Sequence, residues 1–391
     1  MANILNYNQI ADILNPVISE VLGNEATLLT EDLSNVVDTG RELFNSDKVD
    51  TYTKKLVNHI GKVITVDRPY TGTAPRVLMD AWKYGIVLEK INIELFEIGE
   101  NESRELNDGE VYEQDIFYQP KVSVKFFDKN TTFEVPCSIT EKQLETSFSS
   151  AQQLTAFVSG IFTRIEDTLV LATDSLIMRT INNFIAETIY NEYTDGNYTT
   201  KTGVRAINLL YLYNQSVTED KRLTVNNCML NPDFIRFASF QMGMYPDRMK
   251  GLTTLFNQGG KSRHTPNDRL HVILLSYFTS GANAYLQSDI YHDMYTKLPE
   301  ADTVPFWQSP GNNYTFENIS KIDVKTGDNH TVSVGGVIGC MFDEYALGVT
   351  NLDKRTTTHY NAKGEFYNYF FKQEAGYFND FNENFVVFFV A

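Results

Sequence analysis

The sequence has few cysteines, a shortage of basic relative to acidic residues, and no long apolar run. Its three cysteines, Cys137, Cys228 and Cys340, are far apart and form no CxxC pair. This excludes a framework of closely spaced disulfides and indicates free thiols in a reducing compartment. Lys and Arg number 33 against 50 Asp and Glu, a net charge of −17. That balance argues against broad binding along duplex nucleic acid, which requires a basic surface.

The sequence also shows no pattern typical of a membrane helix or of a secretory signal. No run approaches the roughly 18 apolar residues that a membrane helix needs. No basic residue precedes Arg41, so we do not expect the N-terminus to act as a secretory signal.

Motifs of enzymes and cofactor sites are incomplete. Gly259-Gly260-Lys261-Ser262 resembles the end of a phosphate-binding loop, but the first glycine of that motif would fall at Leu255. A polar loop is the simpler interpretation. The six histidines form no HExxH motif and no close pair with cysteine, and GxSxG and GxGxxG are absent. We therefore predict no catalytic residue, no cofactor and no metal, although a catalytic pair assembled only by folding is not excluded.

Proline is absent between Pro136 and Pro232, and this stretch carries the strongest helical pattern in the sequence. Apolar residues recur at spacings of three and four from Leu154 to Ile189, which predicts one helix over about 151–191. Residues 1–60 also show helical spacing, but Pro16 predicts several short pieces there. We further expect a helix at 51–66 and a loop at 68–75.

A strand-like alternation begins at Val87 and returns at 122–127 and 131–139. Between these segments, Glu94 to Asp115 holds nine acidic residues and one base, Arg104, so 1 − 9 gives a local charge of −8. The pattern predicts a protruding acidic hairpin. It is either a solvated surface or an arm that meets a basic patch on a neighbouring subunit, and it lacks the ligand spacing of a calcium-binding EF-hand. The candidate contact residues are Glu97, Glu100, Glu102, Arg104, Glu105 and Asp108.

The remainder predicts mixed α/β structure. Loops are expected at 245–249, 257–268 and 298–313, and strands at 271–278, 330–334 and 336–342. In the final segment, Tyr360 to Ala391, twelve of 32 residues are Phe or Tyr. The nearly continuous aromatics at 366–371 predict a strand that is buried on both faces.

Three stretches carry a resemblance to a known family: FEVPCSITEKQLETSF (133–148), MFDEYALGVTN (341–351) and the segment from Thr358 to Ala391. With the order of elements over nearly the whole chain, they resemble the Hong Kong-97 capsid fold of tailed bacteriophages. The similarity is greatest to major capsid proteins of small short-tailed phages of the picovirus kind.

The resemblance implies an α+β fold with a long spine helix. It implies a turn at 346–348, strands at 361–371 and 375–379, and a buried strand at 385–390. It also implies an N-terminal arm (1–60), a peripheral domain (61–91 with 116–193 and 355–378), an extended hairpin or E-loop (92–115) and an axial domain (194–354 with 379–391).

The function implied by this resemblance is structural. Copies of the chain would form the hexamers and pentamers of an icosahedral shell in the virion, assembled in the host cytoplasm. A portal protein would be a partner, the need for a scaffolding protein stays open, and packaged double-stranded DNA would be touched only weakly. The alternatives are an encapsulin-like compartment shell and a soluble hydrolase or binding domain. Shells of this fold that crosslink themselves use a hairpin lysine; residues 94–115 contain none, so we expect a non-covalent shell.

Overall fold

The computed structural model divides the chain into two compact units. The first comprises Met1–Thr73, Asn130–Leu176 and Thr350–Gly376, and the second comprises Ala74–Lys129, Ile177–Val349 and Tyr377–Ala391. The residues that the structure describes are 7–23, 27–44, 75, 77, 87–96, 104, 107–111, 115, 117, 119–140, 142, 151–194, 196–286, 300–309, 311, 313–326 and 330–391.

The first unit begins with two helices, α1 (Tyr7–Leu22) and α2 (Val36–Phe44). The prediction that Pro16 divides this region was wrong, because α1 continues through it. A proline inside a helix removes one backbone hydrogen bond and costs about 3 kcal/mol. Buried side chains lie on one face on both sides of Pro16, and their burial offsets that cost; they are Leu14, Val17, Ile18 and Val21. The predicted helix at 51–66 lies outside the described residues, as does nearly all of the predicted loop at 68–75.

The longest element is α3 (Ala151–Glu192), a single helix of 42 residues. This confirms the helix predicted from the proline-free stretch, which at 1.5 Å per residue is on the order of 60 Å long. Residues up to Leu176 belong to the first unit and the rest to the second. Its buried side chains recur at spacings of three and four, as the sequence pattern requires; they include Ile165, Leu169, Ile177, Ile181, Phe184, Ile185 and Ile189.

A three-stranded sheet accompanies these helices, in the order β10 (Leu347–Asn361), β11 (Phe366–Asn379) and β3 (Asn130–Thr140). The strands implied at 361–371 and 375–379 are present as one continuous strand, β11; their bounds were wrong, because Asn361 ends β10 and no break separates the two segments. Asn361 Oδ1 accepts the amides of Lys363 and Gly364 at 3.1 and 3.0 Å, which fixes the turn before β11. Burial alternates along β11, so one face is buried and the other only half-buried, and not both buried as predicted.

The second unit contains a five-stranded sheet in the order β4 (Ala206–Asn208), β12 (Phe385–Phe389), β9 (Val337–Asp343), β5 (Leu270–Leu275), β6 (Asp302–Val304). β12 runs parallel to β4 and antiparallel to β9. Every residue of β12 and β9 is buried. The expected burial of 385–390 is therefore confirmed, and it explains the apolar character of this segment.

The second unit also contains five helices, α4 (Leu209–Ser216), α5 (Val225–Cys228), α6 (Pro232–Lys250), α7 (Ser276–Leu286) and α8 (Phe316–Ile319). A small hairpin adds β7 (Ile322–Lys325) and β8 (Thr331–Val334). The predicted loop at 245–249 was wrong, because the buried face of α6 continues through Pro246 to Met249. The predicted strand 271–278 gives way to α7 at Ser276, and the predicted loop 298–313 contains β6.

Gly336, at the turn between β8 and β9, lies where the backbone needs a glycine. Its φ is +74°, and a Cβ atom there would lie 2.0 Å from the carbonyl oxygen of Val390. Only glycine allows both this conformation and the close approach of the segment after β12.

Candidate functional site

The predicted hairpin is present as a two-stranded antiparallel ribbon, β1 (Leu88–Ile93) and β2 (Val122–Phe127). Its register places Lys90 opposite Lys125 and Ile91 opposite Val124. Because side chains alternate across a strand, Lys90 and Lys125 share one face of the ribbon, whereas Ile91 and Val124 share the other. We call these the lysine face and the apolar face.

The lysine face is fastened to the segment that precedes β12. Both lysines donate to one carboxylate: Lys90 Nζ lies 3.1 Å from Asp380 Oδ2, and Lys125 Nζ lies 3.0 Å from Asp380 Oδ1. The side chain of Asp380 is only 4% exposed, that of Lys90 is 19% exposed and that of Lys125 is 41% exposed. Phe127 packs on Phe378 with ring centroids 5.1 Å apart. The ribbon is thus held by a buried charge cluster and an aromatic contact.

The two carboxyl groups of this cluster, Asp380 and Glu383, differ in how strongly the fold favours their ionised forms. Burial alone would raise the pKa of Asp380, but Lys90 and Lys125 together hold it below the ordinary value of 3.8. Glu383 lies beside them, 3.0 Å from Arg263 and 3.9 Å from Lys90. Burial raises the pKa of Glu383 above 4.5 despite these cations, and the nearby carboxylates Asp343 and Asp380 add to the rise. Asp380 is therefore the ionised centre of the cluster.

A second fastening uses the loop that resembled a phosphate-binding loop. The ammonium group of Lys261 pairs with Glu94, which directly follows β1. Asn257 shapes the loop, since its side chain accepts the Lys261 amide at 2.8 Å and donates to the Lys261 carbonyl at 2.6 Å. The lysine considered for phosphate binding is thus engaged with a carboxylate at the base of the hairpin.

The apolar face points away from these contacts and is exposed. Its five apolar side chains retain between 45% and 65% of their accessible surface; they are Ile91, Ile93, Val122, Val124 and Phe126. Beyond the paired strands, further exposed apolar residues follow in the described part of the hairpin: Leu95, Phe96, Val111 and Phe117. Nearly half of the large exposed apolar side chains in the described residues therefore lie on this one element.

The structure gives the position of two of the six candidate contact residues. Arg104 is exposed, and Asp108 is exposed in the turn that Gly109 allows with a φ of +95°. The other four candidates, Glu97, Glu100, Glu102 and Glu105, lie outside the described residues. An intersubunit role for all six stays a prediction.

The residues that sequence reasoning missed are Lys90, Lys125 and Asp380. A signal was present in the strand alternation, which places both lysines on one face once the register is known. Their common partner lies 290 and 255 residues further along the chain, and no local pattern connects such distant positions.

Sites for metals and reactive thiols are not evident in the described part of the chain. It contains no group of three His, Cys, Asp or Glu side chains suited to a metal ion, and none of its helices is long and apolar enough to cross a membrane. Burial raises the pKa of Cys228 to about 12 and also raises the pKa values of Cys137 and Cys340. Such thiols react slowly, because the thiolate is the nucleophile.

Comparison with known proteins gives one family over nearly the whole chain. Residues 14–389 match the family described as Phi29-like phage major capsid protein. None of the curated protein sequences matches significantly.

Among solved structures, the capsid of Staphylococcus phage Andhra matches with a TM-score of 0.50 at 7% identity, over 83% of this chain and 86% of that one. The capsid of cyanophage P-SCSP1u has a TM-score of 0.44 at 12% identity, over 79% and 84%. The mature capsid of bacteriophage PhiM1 has a TM-score of 0.42 at 9% identity, over 83% of this chain and 90% of that one. At such identities the likeness to the Andhra capsid concerns the fold alone.

Proposed function

The chain belongs to the family of Phi29-like phage major capsid proteins, and on that premise we propose how it builds its shell. Copies assemble through pentamers and hexamers into an icosahedral particle that encloses the phage genome. The observation that carries this proposal is the extent of the family match, because residues 14–389 include every strand that the structure describes. The α+β fold is of the Hong Kong-97 type, as the sequence resemblance implied.

The role we propose is structural, without catalysis and without a cofactor. Its chemistry is the association of identical surfaces, repeated until the particle closes. The engagement of Lys261 by Glu94 supports this interpretation, since it gives the glycine-rich loop a task in holding the hairpin.

The proposed partners follow from this role. The chain associates with copies of itself in the virion capsid and meets a portal protein at one position of the shell. The need for a scaffolding protein is tested by co-expression. Contact with packaged double-stranded DNA is weak and non-specific, because a net charge of −17 disfavours adhesion to phosphates. Assembly takes place in the host cytoplasm, and the phage is of the short-tailed, picovirus-like type.

The proposed division of labour retains the arm at 1–60, the peripheral domain at 61–91 with 116–193 and 355–378, the hairpin at 92–115, and the axial domain at 194–354 with 379–391. The fastening of the ribbon by Asp380 and Lys261 supports a hairpin that extends from a fixed base. The acidic residues beyond that base would reach a neighbouring subunit.

Electron microscopy of the full chain tests the function. The chain is expressed alone, and also together with portal and scaffolding proteins from the same phage genome. We expect closed shells of uniform size in at least one preparation. Folded protein that stays monomeric in both would overturn the proposal.

The acidic hairpin has a separate test in Arg104→Glu, with Arg222→Glu as the matched control. Both residues are exposed. Arg222 lies 3.9 Å from the carboxylate of Glu219. Both variants change the net charge by the same amount. We expect Arg104→Glu alone to reduce shell yield, more strongly at low salt, where repulsion is less screened. Equal yields of the two variants at two salt concentrations would show that the acidic segment makes no intersubunit contact.

A further inference from the structure

The strand β3 lies at one edge of the three-stranded sheet. β11 pairs with it on one side, and among the described residues no strand pairs with it on the other. β3 is 11 residues long, about twice the usual length of a strand. An edge of this length presents a row of unpaired backbone groups, which can serve as a template for pairing with another chain.

The register shows which backbone groups of β3 face the open edge. The amide of Tyr377 donates to the carbonyl of Lys129 at 3.1 Å, so this pair, which continues the register of β11 with β3, is a hydrogen-bonded one. Bonded and non-bonded pairs alternate along an antiparallel ladder. The even-numbered residues of β3 therefore direct their N–H and C=O groups away from β11, and their side chains are exposed from Asn130 to Ser138. We call these the outward positions.

One outward position is occupied by proline. Pro136, whose partner in the register is Phe370, has no backbone N–H to donate. The missing donor would have pointed to the open edge, so the ladder between β3 and β11 loses no hydrogen bond. The pyrrolidine ring instead occupies the place where a carbonyl group of an incoming strand would bind.

We propose that Pro136 prevents the open edge of β3 from pairing with β3 of a second copy of this chain. This goes beyond the proposed function, because the block acts on the folded subunit whether or not it enters a shell. An antiparallel pair of two copies places outward positions opposite each other, since only they have free backbone groups. Every such register that overlaps by more than half of the strand includes Pro136 of both copies. A proline near either end of β3 would leave some of these registers open.

The composition of β3 explains the need for such a block. The segment 131–135 is β-branched or aromatic apart from Glu134, and these residue types favour strands. Charge gives little protection, because Glu134 is the only charged residue in β3 and its carboxylate lies 3.2 Å from Lys372 Nζ. Proline and unpaired charges are the common means by which proteins protect a sheet edge. Pro136 is thus the main feature of β3 that opposes pairing.

Hydrogen exchange of the unassembled parent chain tests the geometry on which the proposal depends. The amides of Phe133 and Val135 point to β11 and should exchange slowly. The amides of Thr132, Glu134 and Ser138 face the open edge and should exchange at least about tenfold faster, since no hydrogen bond has to open first. Equal protection of the two sets would show that the edge is already covered, and the inference would be wrong.

Pro136→Thr removes the block, because it supplies an N–H at the outward position together with a β-branched side chain. Ser138→Thr is the matched control, since it introduces the same side chain at the next outward position, where an N–H is already present. Sedimentation of the full chain measures self-association over a range of concentrations in which the parent stays unassembled. One restored backbone hydrogen bond in each copy strengthens pairing by about tenfold or more. We therefore expect Pro136→Thr to associate at a concentration at least about tenfold below the control, with new protection of the Thr132 amide.

A second variant separates edge pairing from misfolding. Glu134→Pro added to Pro136→Thr moves the proline by two residues, again to an outward position at which β11 loses no hydrogen bond. A proline at position 134 also lies within every register that overlaps by more than half of β3. The ion pair with Lys372 is lost, but such a partly exposed pair contributes little. We expect this double variant to sediment as the parent does, with unchanged circular dichroism.

The outcomes decide between a block and an incidental proline. If Pro136→Thr associates no more than Ser138→Thr, or if moving the proline to position 134 does not suppress the association, the inference is wrong. Failure of the parent chain to form shells would overturn the proposed function and not this inference, because edge pairing is measured on unassembled subunits.

Discussion

The charge cluster beneath the hairpin makes a quantitative prediction for Asp380→Asn. The change keeps the shape of the side chain and removes the charge that Lys90 and Lys125 share at 3.1 and 3.0 Å. Removing one partner of a buried pair costs about 3–5 kcal/mol. Lys125 is 41% exposed and regains water, so its part of the interaction is screened. We therefore expect a loss of roughly 2–3 kcal/mol, at or just below the lower end of that range, because the Lys125 part is screened.

This loss of stability should first appear as local opening of the β1–β2 ribbon, before the rest of the unit unfolds. If the ribbon detaches from Asp380, amide hydrogen exchange in β1 and β2 should accelerate by about 30- to 150-fold, the equivalent of that free energy. Amides of the central strand β5 should change much less. The melting temperature of the unassembled subunit should fall by about 4–12 °C, since each kcal/mol shifts it by about 2–4 °C in a unit of this size.

The pH dependence has a definite sign. Because the folded pKa of Asp380 lies below the ordinary 3.8, its contribution is fully present above that value and is lost as the pH falls through the folded pKa. Wild type and variant should differ by a constant amount near neutral pH and converge in acid.

Asp247→Asn is the control, because Asp247 is exposed and only 3.8 Å from Lys250 on the same helix face. Such a pair contributes at most about 1 kcal/mol. Exchange rates in β1 and β2 that are the same for Asp380→Asn as for this control would refute the anchoring argument.

Three further changes test other parts of the fold. Glu383→Gln should cost less than Asp380→Asn at pH 7 in parallel melts, because burial raises the pKa of Glu383 and its ionised form is the less favoured one in the fold; an equal or larger loss would contradict this. Gly336→Ala should destabilise by about 1–3 kcal/mol, whereas Gly335→Ala, with open space around its Cβ, should not; equal urea midpoints would be the contrary result. Deleting 385–391 removes six buried Phe and Val side chains, each worth roughly 1.5–3 kcal/mol, so the product should be insoluble in cell lysates, and soluble assembling protein would show that β12 is dispensable.

Sequence patterns were sufficient where one element decides its own structure. The proline-free apolar repeat predicted α3 nearly to the residue. This signal depends on local spacing and hydrophobicity, which act within a single helix. The buried strand β12 was instead implied by the family resemblance.

The errors arose where tertiary packing overrode local chemistry. Pro16 and Pro246 both lie inside helices, because buried faces on either side offset the lost hydrogen bond. The acidic segment favoured a prediction based on the negative charge of the hairpin. The structure instead shows an ion-pair cluster beneath the ribbon and exposed apolar side chains on its other face. Convergence of Lys90, Lys125 and Asp380 depends on contacts between distant parts of the chain, which a single sequence does not reveal.

The order of strands in the second unit has a consequence for how the protein is made. β12 lies between β4 and β9 in the sheet, yet it is translated after both of them. In a nascent chain on the ribosome, the edges of β4 and β9 that pair with β12 therefore stay unpaired until Phe385 and the residues after it emerge. Unpaired strand edges of this kind favour aggregation. Products of interrupted translation that stop before Phe385 lack the strand that joins the two flanks. Truncated chains are thus excluded from the particle by their folding, since only chains translated through β12 can complete the sheet.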